Sequence, residues 1–377
     1  MSGANLLSAA AAALLLLSGP ASEAASAPGD GSSISEDAPA ASAARRPRRR
    51  PRYKRLAVPQ GPKTTLRSPG WTLEVRAALE RLIEGQGASS RGYDPDWPPV
   101  AVLVLDDLGF AGHAGELAFL RMVDRAEFRF SPAWWELVPL EVRDRARRAL
   151  RRFNDRPENL WPNDEDFLAW RKAMFEARDL VRRQQGRRAC LAWLSLLLTG
   201  YTEGEIEGYM RDLVEEGLRE PFTDEPIRAH AGDAEPIGAR RGLRRVPELA
   251  ELTDRLLRAG IDVWMLSASN QWVAEALAQR YGVDPSRVVG TRPRILNKRL
   301  DVAVVDPVPV GPGKPEAVPL FIGRDPALGG AGPDDEELLE YGRGLRVLVD
   351  PGDERFAARA KARGWLLQPR LRHGAAE

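Results

Sequence analysis

A clear periodicity of apolar and polar positions begins at Ser68. In SPGWTLEVRAALERLIEGQ, Trp71, Val75, Leu79 and Leu82 recur at three- and four-residue spacing, which predicts an amphipathic helix. The next apolar run, VAVLVLDD, is short and continuous rather than alternating, the pattern of a parallel strand covered on both faces. From Glu116 to about Ala229 the spacing becomes almost wholly helical, rich in Arg, Glu, Leu and Trp. PELAELTDRLLRAG then predicts a helix closed by Gly260, IDVWMLSAS a second buried strand, NQWVAEALAQRYG a helix and RVVGTR a strand. EAVPLFIG, LRVLVD and ERFAARAKARG continue the alternation. Strands and helices alternating on both sides of a long helical block predict an α/β fold, a doubly wound, Rossmann-like parallel sheet with helices inserted after its first strand. The expected layout is a first core part at 68–117, a helical insertion at 118–237 and the rest of the core at 238–377.

Ahead of Ser68 the pattern changes. An apolar stretch from Leu6 to Leu17 is followed by the small residues Ser22 and Ala24, spaced like a signal-peptidase site. This predicts a signal peptide over 1–24 and export, periplasmic or secreted, although its first residues contain no Lys or Arg. The competing reading is an Ala/Leu helix of the mature chain, which the Pro- and Ser-rich sequence after it would leave with nothing to pack on. The run is short for a membrane span of about 20 residues, and no Cys follows it to carry a lipid. Residues 25–67 are rich in Ala, Ser, Pro and Arg and poor in large apolar side chains, which predicts a disordered linker.

Composition sharpens this picture in two places. The 377 residues are 43% hydrophobic and 29% charged, the balance of a soluble globular chain with a sizeable core. The formal net charge is +1, and the eight positive residues of RRPRRRPRYKR, Arg45–Arg55, leave the remainder at −7. That basic run would gain about 1 kcal/mol per residue beside an anionic surface such as envelope lipid; it would serve equally as a solvated tether. No nucleic-acid partner is expected, and the oligomeric state stays open. Cys190, the single cysteine, excludes an intrachain disulfide, and its neighbours ACLAWLSLLL predict a buried small hydrophobe. His113, His230 and His373 are too scattered to suggest a metal site.

Four stretches carry a family resemblance. PVAVLVLDDLGFAGHAGE resembles a first motif of the form PVAVFDxDNTxxxGDxGE. VWMLSASNQWVAEALAQRYGV with RVVGTR resembles a second, in which a strand ends on Ser267. GPGKPEAV is similar to Gly-x-Gly-Lys, with Lys314 as its basic residue. PALGGAGPDDEELLEY, followed by LRVLVDPGD, stands in the place of Gly-Asp-Ser-x-x-Asp. Together these resemble the haloacid dehalogenase (HAD) superfamily, in its phosphoserine phosphatase and phosphorylcholine phosphatase branch, over about Trp71–Pro369.

In such enzymes the resemblance implies phosphoryl transfer to an aspartate at the end of the first strand, with a second aspartate two residues on as general acid and base. Mg²⁺ would bridge nucleophile and phosphate, and the Ser and Lys would hold the phosphoryl oxygens. Carried over by spacing, the nucleophile position falls on Val104, which has no group that attacks phosphorus. Asp106 takes the general acid/base position and supplies a backbone carbonyl to the metal. Asp107 stands where Asn or Gly is common. Ser267 and Lys314 match as phosphate-binding residues. In the fourth motif Gly330 and Ala331 fall on the Gly-Asp pair and Asp335 on the second acid, with Asp334 a further metal candidate. Two chelating carboxylates are therefore replaced by Val104 and Ala331, which implies a catalytically degenerate protein with a small phosphorylated or anionic ligand, and Mg²⁺ only if activity survives.

Other readings stay open from the residues alone. A register slipped by two would make Asp106 the nucleophile of an active hydrolase whose turnover Asp106→Asn abolishes. Asp106 and Asp107 would also serve as turn caps, Ser267 as a helix cap, and Lys314 as a solvated loop residue. In the helical block, Trp134 or Trp135 would face a quaternary ammonium substrate through cation–π contact, or both would be core.

Overall fold

The computed structural model describes residues 64–350, 352–371 and 373–374. The expected signal peptide and the linker up to residue 63, with its basic run, lie outside the described residues. Among the described residues no helix is long and apolar enough to cross a membrane.

Helix α1 (Leu73–Gln86) starts where Thr72 accepts the Val75 N–H on its side-chain oxygen, and it buries Val75, Leu79, Leu82 and Ile83. Strand β1 (Val100–Val104) is buried at every position, as its unbroken apolar run requires. The chain then makes one helical turn, α2 (Leu105–Leu108), and a short strand, β2 (Phe110–Ala111), before entering a block of helices. These are α3 (Ala114–Asp124), α4 (Pro132–Glu136), α5 (Leu140–Phe153), α6 (Glu165–Leu196) and α7 (Glu203–Arg219). Helix α5 turns Val142, Ala146, Ala149, Leu150 and Phe153 inward and leaves most of its arginines outside. Helix α6 is broken at Gly186, whose φ of +86° takes the chain out of helical geometry for one residue.

The residues expected to be helical to Ala229 instead include strand β3 (Thr223–Ile227), paired antiparallel with β4 (Ile237–Arg241). The expected domain boundary at 237 thus falls within a hairpin. Its strands have no apolar alternation; charge holds them. Arg241 pairs with Glu225 and Asp124 at 2.6 Å each, and Arg171 of α6 bridges Asp124 and Glu225 at 2.7 and 2.8 Å. Charge pairs across a hairpin leave no period-2 signal to read.

Strand β5 (Arg244–Arg245) pairs with β2, and helix α8 (Pro247–Arg258) leads into β6 (Asp262–Asn270), α9 (Gln271–Gln279), β7 (Val288–Leu296) and β8 (Arg299–Val305). Helix α10 (Gly313–Ala317), β9 (Leu328–Ala331), α11 (Glu336–Glu340), β10 (Leu345–Asp350), α12 (Glu354–Ala362) and β11 (Leu366–Pro369) complete the chain. Seven strands form one sheet in the order β11-β10-β9-β1-β6-β7-β8, parallel except for the antiparallel β7–β8 pair. This is the doubly wound, Rossmann-like α/β sheet expected. The strand order reverses at β1, flanked by β6 and β9, and the crevice beyond the carboxyl end of such a strand is where open α/β sheets place ligand sites.

Strand β9 reads LGGA and carries almost no side-chain signal, which is why pattern alone misses it. Its glycines answer to their neighbours: a Cβ on Gly330 would stand 3.0 Å from both Leu103 and Leu108, and one on Gly329 3.1 Å from Arg346. The buried Arg346 guanidinium donates to the carbonyls of Leu339, Pro326, Leu345 and Tyr341, and burial lowers its pKa. At the start of α9, Asn270 accepts the Val273 N–H at 3.0 Å. Asn270→Ala should cost about 1 kcal/mol, seen as a lower urea midpoint with an unchanged m-value.

Candidate functional site: a buried cradle at the end of β1

Four segments meet beyond the carboxyl end of β1. The strand stops at Val104, opposite Leu266 of β6, and the α2 turn carries Asp106 toward β6. The Ser267 hydroxyl donates to Asp106 Oδ1 at 2.6 Å, and the Ala268 N–H donates to Oδ2 at 2.7 Å. The Ser269 hydroxyl reaches Oδ1 at 3.4 Å, and its own N–H donates to Ser267 Oγ at 3.1 Å. Lys314 Nζ, from α10, lies 3.6 Å from Asp106 Oδ2 and 2.6 Å from Asp335 Oδ1.

The site is dry. Ser267, Lys314 and Asp335 are fully buried. Burial pushes the Asp335 carboxyl above its usual range, against the pull of Lys314, and Asp106 adds to the rise. Asp335 Oδ2 has no hydrogen-bond partner. Lys314 is thus a buried ion-pair member and not a solvated loop residue, and the cap of α9 is Asn270 rather than Ser267. The loop into α10 comes very close to itself: a Cβ on Gly313 would stand 1.8 Å from the Val308 carbonyl oxygen.

Val104 and Ala331 end the two neighbouring strands. Leu103 pairs with Gly330, which sets Val104 level with Ala331, and both are fully buried in one apolar cluster with Leu266, Leu338, Leu339 and Leu348. This donor set does not fit Mg²⁺, which demands near-octahedral oxygen ligation. Val104 and Ala331, the two positions to which the family resemblance assigns carboxylates, are hydrocarbon, Asp335 is paired with Lys314, and Asp106 accepts from Ser267 and Ala268. Among the described residues no group of three His, Cys, Asp or Glu is placed to hold a metal.

Three expected site residues lie elsewhere. Asp334 turns outward to Arg187 of α6 at 3.1 Å, so it gives the cradle nothing. Trp134 and Trp135 line no ligand cleft. Both are buried in an aromatic core with Phe128, Phe130 and Trp170, and the Trp134 indole N–H donates to the Leu197 carbonyl at 3.0 Å. Their bulk is needed to fill the helical block. A cleft of about 560 Å³ does exist at the opposite end of β1, lined by Tyr93, Trp97 and Arg324 among others, far from every expected site residue.

Sequence reasoning missed the residues that cover the cradle. Arg187 and Arg188 follow the Gly186 break and pair with Asp334 and Asp306, the latter at 3.4 Å. Ala192 of α6 packs with Ala268, Val308 and Val310. A glycine followed by two arginines inside a helical pattern was the available signal.

No protein-family model matches the chain. A structure of a conserved, functionally unknown protein from Anaerococcus prevotii DSM 20548 aligns over 81% of this chain and 94% of its own, with a TM-score of 0.69 at 19% identity. The two share a fold. Phosphorylcholine phosphatase of Pseudomonas aeruginosa is 28% identical over 115 residues, 29% of this chain. The match spans 31% of that curated relative's length.

Proposed function

We propose that the chain is a HAD-like phosphohydrolase homologue that has lost the covalent chemistry of its relatives and acts by binding. One observation carries this reading: Val104 and Ala331 stand side by side, buried and apolar, at the ends of β1 and β9. A valine side chain has no lone pair to attack phosphorus, and neither residue ligates a cation. Enzymes generally lower barriers by about 8–23 kcal/mol, and without a nucleophile or a metal the route that supplies most of this is closed. The partial likeness to a phosphatase supports the phosphohydrolase ancestry, and the cradle of Ser267, Ala268 and Lys314 supports an anionic or phosphorylated ligand. In the same proposal the protein is exported and its basic segment lies against an anionic envelope surface.

The slipped register, with Asp106 as nucleophile, is less well supported. It needs β1 to run two residues farther, whereas helix begins at Leu105, and both Asp106 oxygens already accept hydrogen bonds.

A phosphomonoester panel with Mg²⁺ tests the proposal. The wild type should show no Mg²⁺-dependent turnover, and Val104→Asp/Ala331→Asp should acquire some. Two unpaired carboxylates in an apolar cluster are costly, so the double variant should be less stable than the wild type and should regain stability when Mg²⁺ is added, read as a rise in Tm. Mg²⁺-dependent hydrolysis by the wild type would overturn the reading.

A further inference from the structure

The β7–β8 hairpin ends in a tip that stands clear of the protein on both faces. Successive strand residues point to opposite sides, so a strand lying on the body buries every second one. Pro293 and Leu300 are buried at the foot of the hairpin, but from Arg294 to Arg299 every residue is exposed, Ile295 and Leu296 at 48% and 53%. The tip is also fixed in shape. Leu296 pairs with Arg299, and the loop residues between them, Asn297 and Lys298, have φ of +50° and +64°, the left-handed values of a tight hairpin turn. Below it, the Leu300 N–H donates to the Tyr201 carbonyl and the Leu300 carbonyl accepts the Gly200 N–H, both at 2.8 Å. Positive charge surrounds the apolar pair. Arg294 is matched by Asp301, and Glu275 of α9 lies within the field of Arg292. Lys298 and Arg299, at the turn, form no ion pair among the described residues, although Arg299 donates to the Gly200 carbonyl at 2.6 Å.

We propose that this tip is a membrane-docking element, which places Ile295 and Leu296 at the headgroup and acyl boundary of a bilayer whose anionic headgroups meet Lys298 and Arg299. A solvated turn needs no apolar pair, and two adjacent strand residues on opposite faces cannot both cover the protein's own core. A bilayer suits the tip better than a protein partner does. Two apolar side chains on a convex tip offer far less than the roughly 800 Å² per partner of a stable protein interface, whereas a fluid acyl boundary closes around a protruding shape. A symmetric pairing with a second copy of the chain would set the same basic turn against itself, and like charges repel. Beside an anionic surface the same cations add to the apolar gain. The element is separate from the cradle at β1 and goes beyond the function proposed above. It does not rest on Arg45–Arg55, which lies outside the described residues.

Vesicle flotation of the full chain tests this, with phosphatidylcholine vesicles set against vesicles of which about one-third is phosphatidylglycerol, at low salt. Leu296→Cys carrying a polarity-sensitive maleimide dye reports on the tip itself, because Cys190 is buried and its thiol is pushed up to about 11. The dye should shift to the blue on anionic vesicles and much less on neutral ones, and the shift should shrink as salt screens the charges. Ile295→Ser/Leu296→Ser should lower partition onto anionic vesicles by at least about tenfold, and Lys298→Glu by about fivefold. These variants alter only exposed side chains, so Tm should match the wild type. Leu320→Ser, at a residue 68% exposed between α10 and β9, should leave partition unchanged. Every variant keeps the residues before 64, so their contribution to vesicle binding is common to all. Equal partition of the wild type and Ile295→Ser/Leu296→Ser, or a dye at residue 296 that stays in water on anionic vesicles, overturns the inference. So does a blue shift that grows with protein concentration without vesicles, which would assign the tip to a second copy.

Discussion

Lys314→Met will destabilise the protein by about 3–5 kcal/mol, the cost of removing one partner from a buried ion pair. Lys314 and Asp335 are both fully buried and 2.6 Å apart, so a neutral residue at 314 leaves the Asp335 carboxylate with neither partner nor water. Asp106 makes matters worse, because it already acts to raise the Asp335 pKa. The loss should depend on pH with a defined sign. Asp335 titrates above its ordinary value in the folded protein, and losing the lysine that pulls it down raises it further. When a folded-state carboxyl pKa lies above the unfolded one, the penalty is absent where both states are protonated and grows as pH rises through that interval. Urea unfolding should therefore show the Lys314→Met deficit shrinking as pH is lowered from neutrality toward the carboxylate range. Lys314→Met/Asp335→Leu, which removes both charges, should recover most of the loss, since apolar replacement of a whole buried pair is often neutral or better. A double variant as unstable as Lys314→Met would mean that the cost arises from packing and not from the stranded charge.

Gly313→Ala should cost about 3 kcal/mol or more, at the upper end of overpacking effects. The added methyl would sit 1.8 Å from the Val308 carbonyl oxygen. No side-chain rotation relieves a clash with backbone, so the loop from Val308 must move, and with it the placement of Lys314. The contrast is Gly208 on α7, where an added Cβ meets nothing within 4 Å. Gly208→Ala should stabilise by roughly 0.5–1 kcal/mol through helix propensity. Chemical denaturation of the two variants in parallel separates the close approach from any general effect of losing a glycine.

Elements with large, regularly spaced side chains were legible in the sequence. Val75, Leu79 and Leu82 give α1, which starts after Trp71, and the unbroken apolar runs give β1 and β6. Elements held by other means were not. Strand β9 consists of residues too small to show a period, because Leu103, Leu108 and Arg346 occupy the space beside it. The β3–β4 hairpin is held by arginine–carboxylate pairs from distant parts of the chain, whose partners cannot be matched by spacing.

The cradle was legible as a set of positions, but not in its state. The family resemblance of four stretches, and not periodicity, implies that Asp106, Ser267, Lys314, Asp335, Val104 and Ala331 share one corner. Only the fold shows that Asp106 faces inward to Ser267 and Ala268, that Asp334 faces outward to Arg187, and that Trp134 and Trp135 are sealed among other rings. Side-chain direction after a strand end depends on the backbone turn that follows, and a single helical turn after Val104 was not encoded in any periodicity.

The break at Gly186 redirects α6 without freeing either of its parts. The first carries Phe167, Trp170 and Phe175 into the aromatic interior, and the second returns to it through Trp193, whose ring centroid lies 5.8 Å from that of Phe119 and whose indole N–H donates to the Leu137 carbonyl at 2.7 Å. Ala192, one residue before Trp193, packs on Ala268, Val308 and Val310 instead. Adjacent helical positions face different ways, so this short stretch rivets the helical block to the loops around Lys314, and any shift of those loops must be accommodated in the aromatic packing as well.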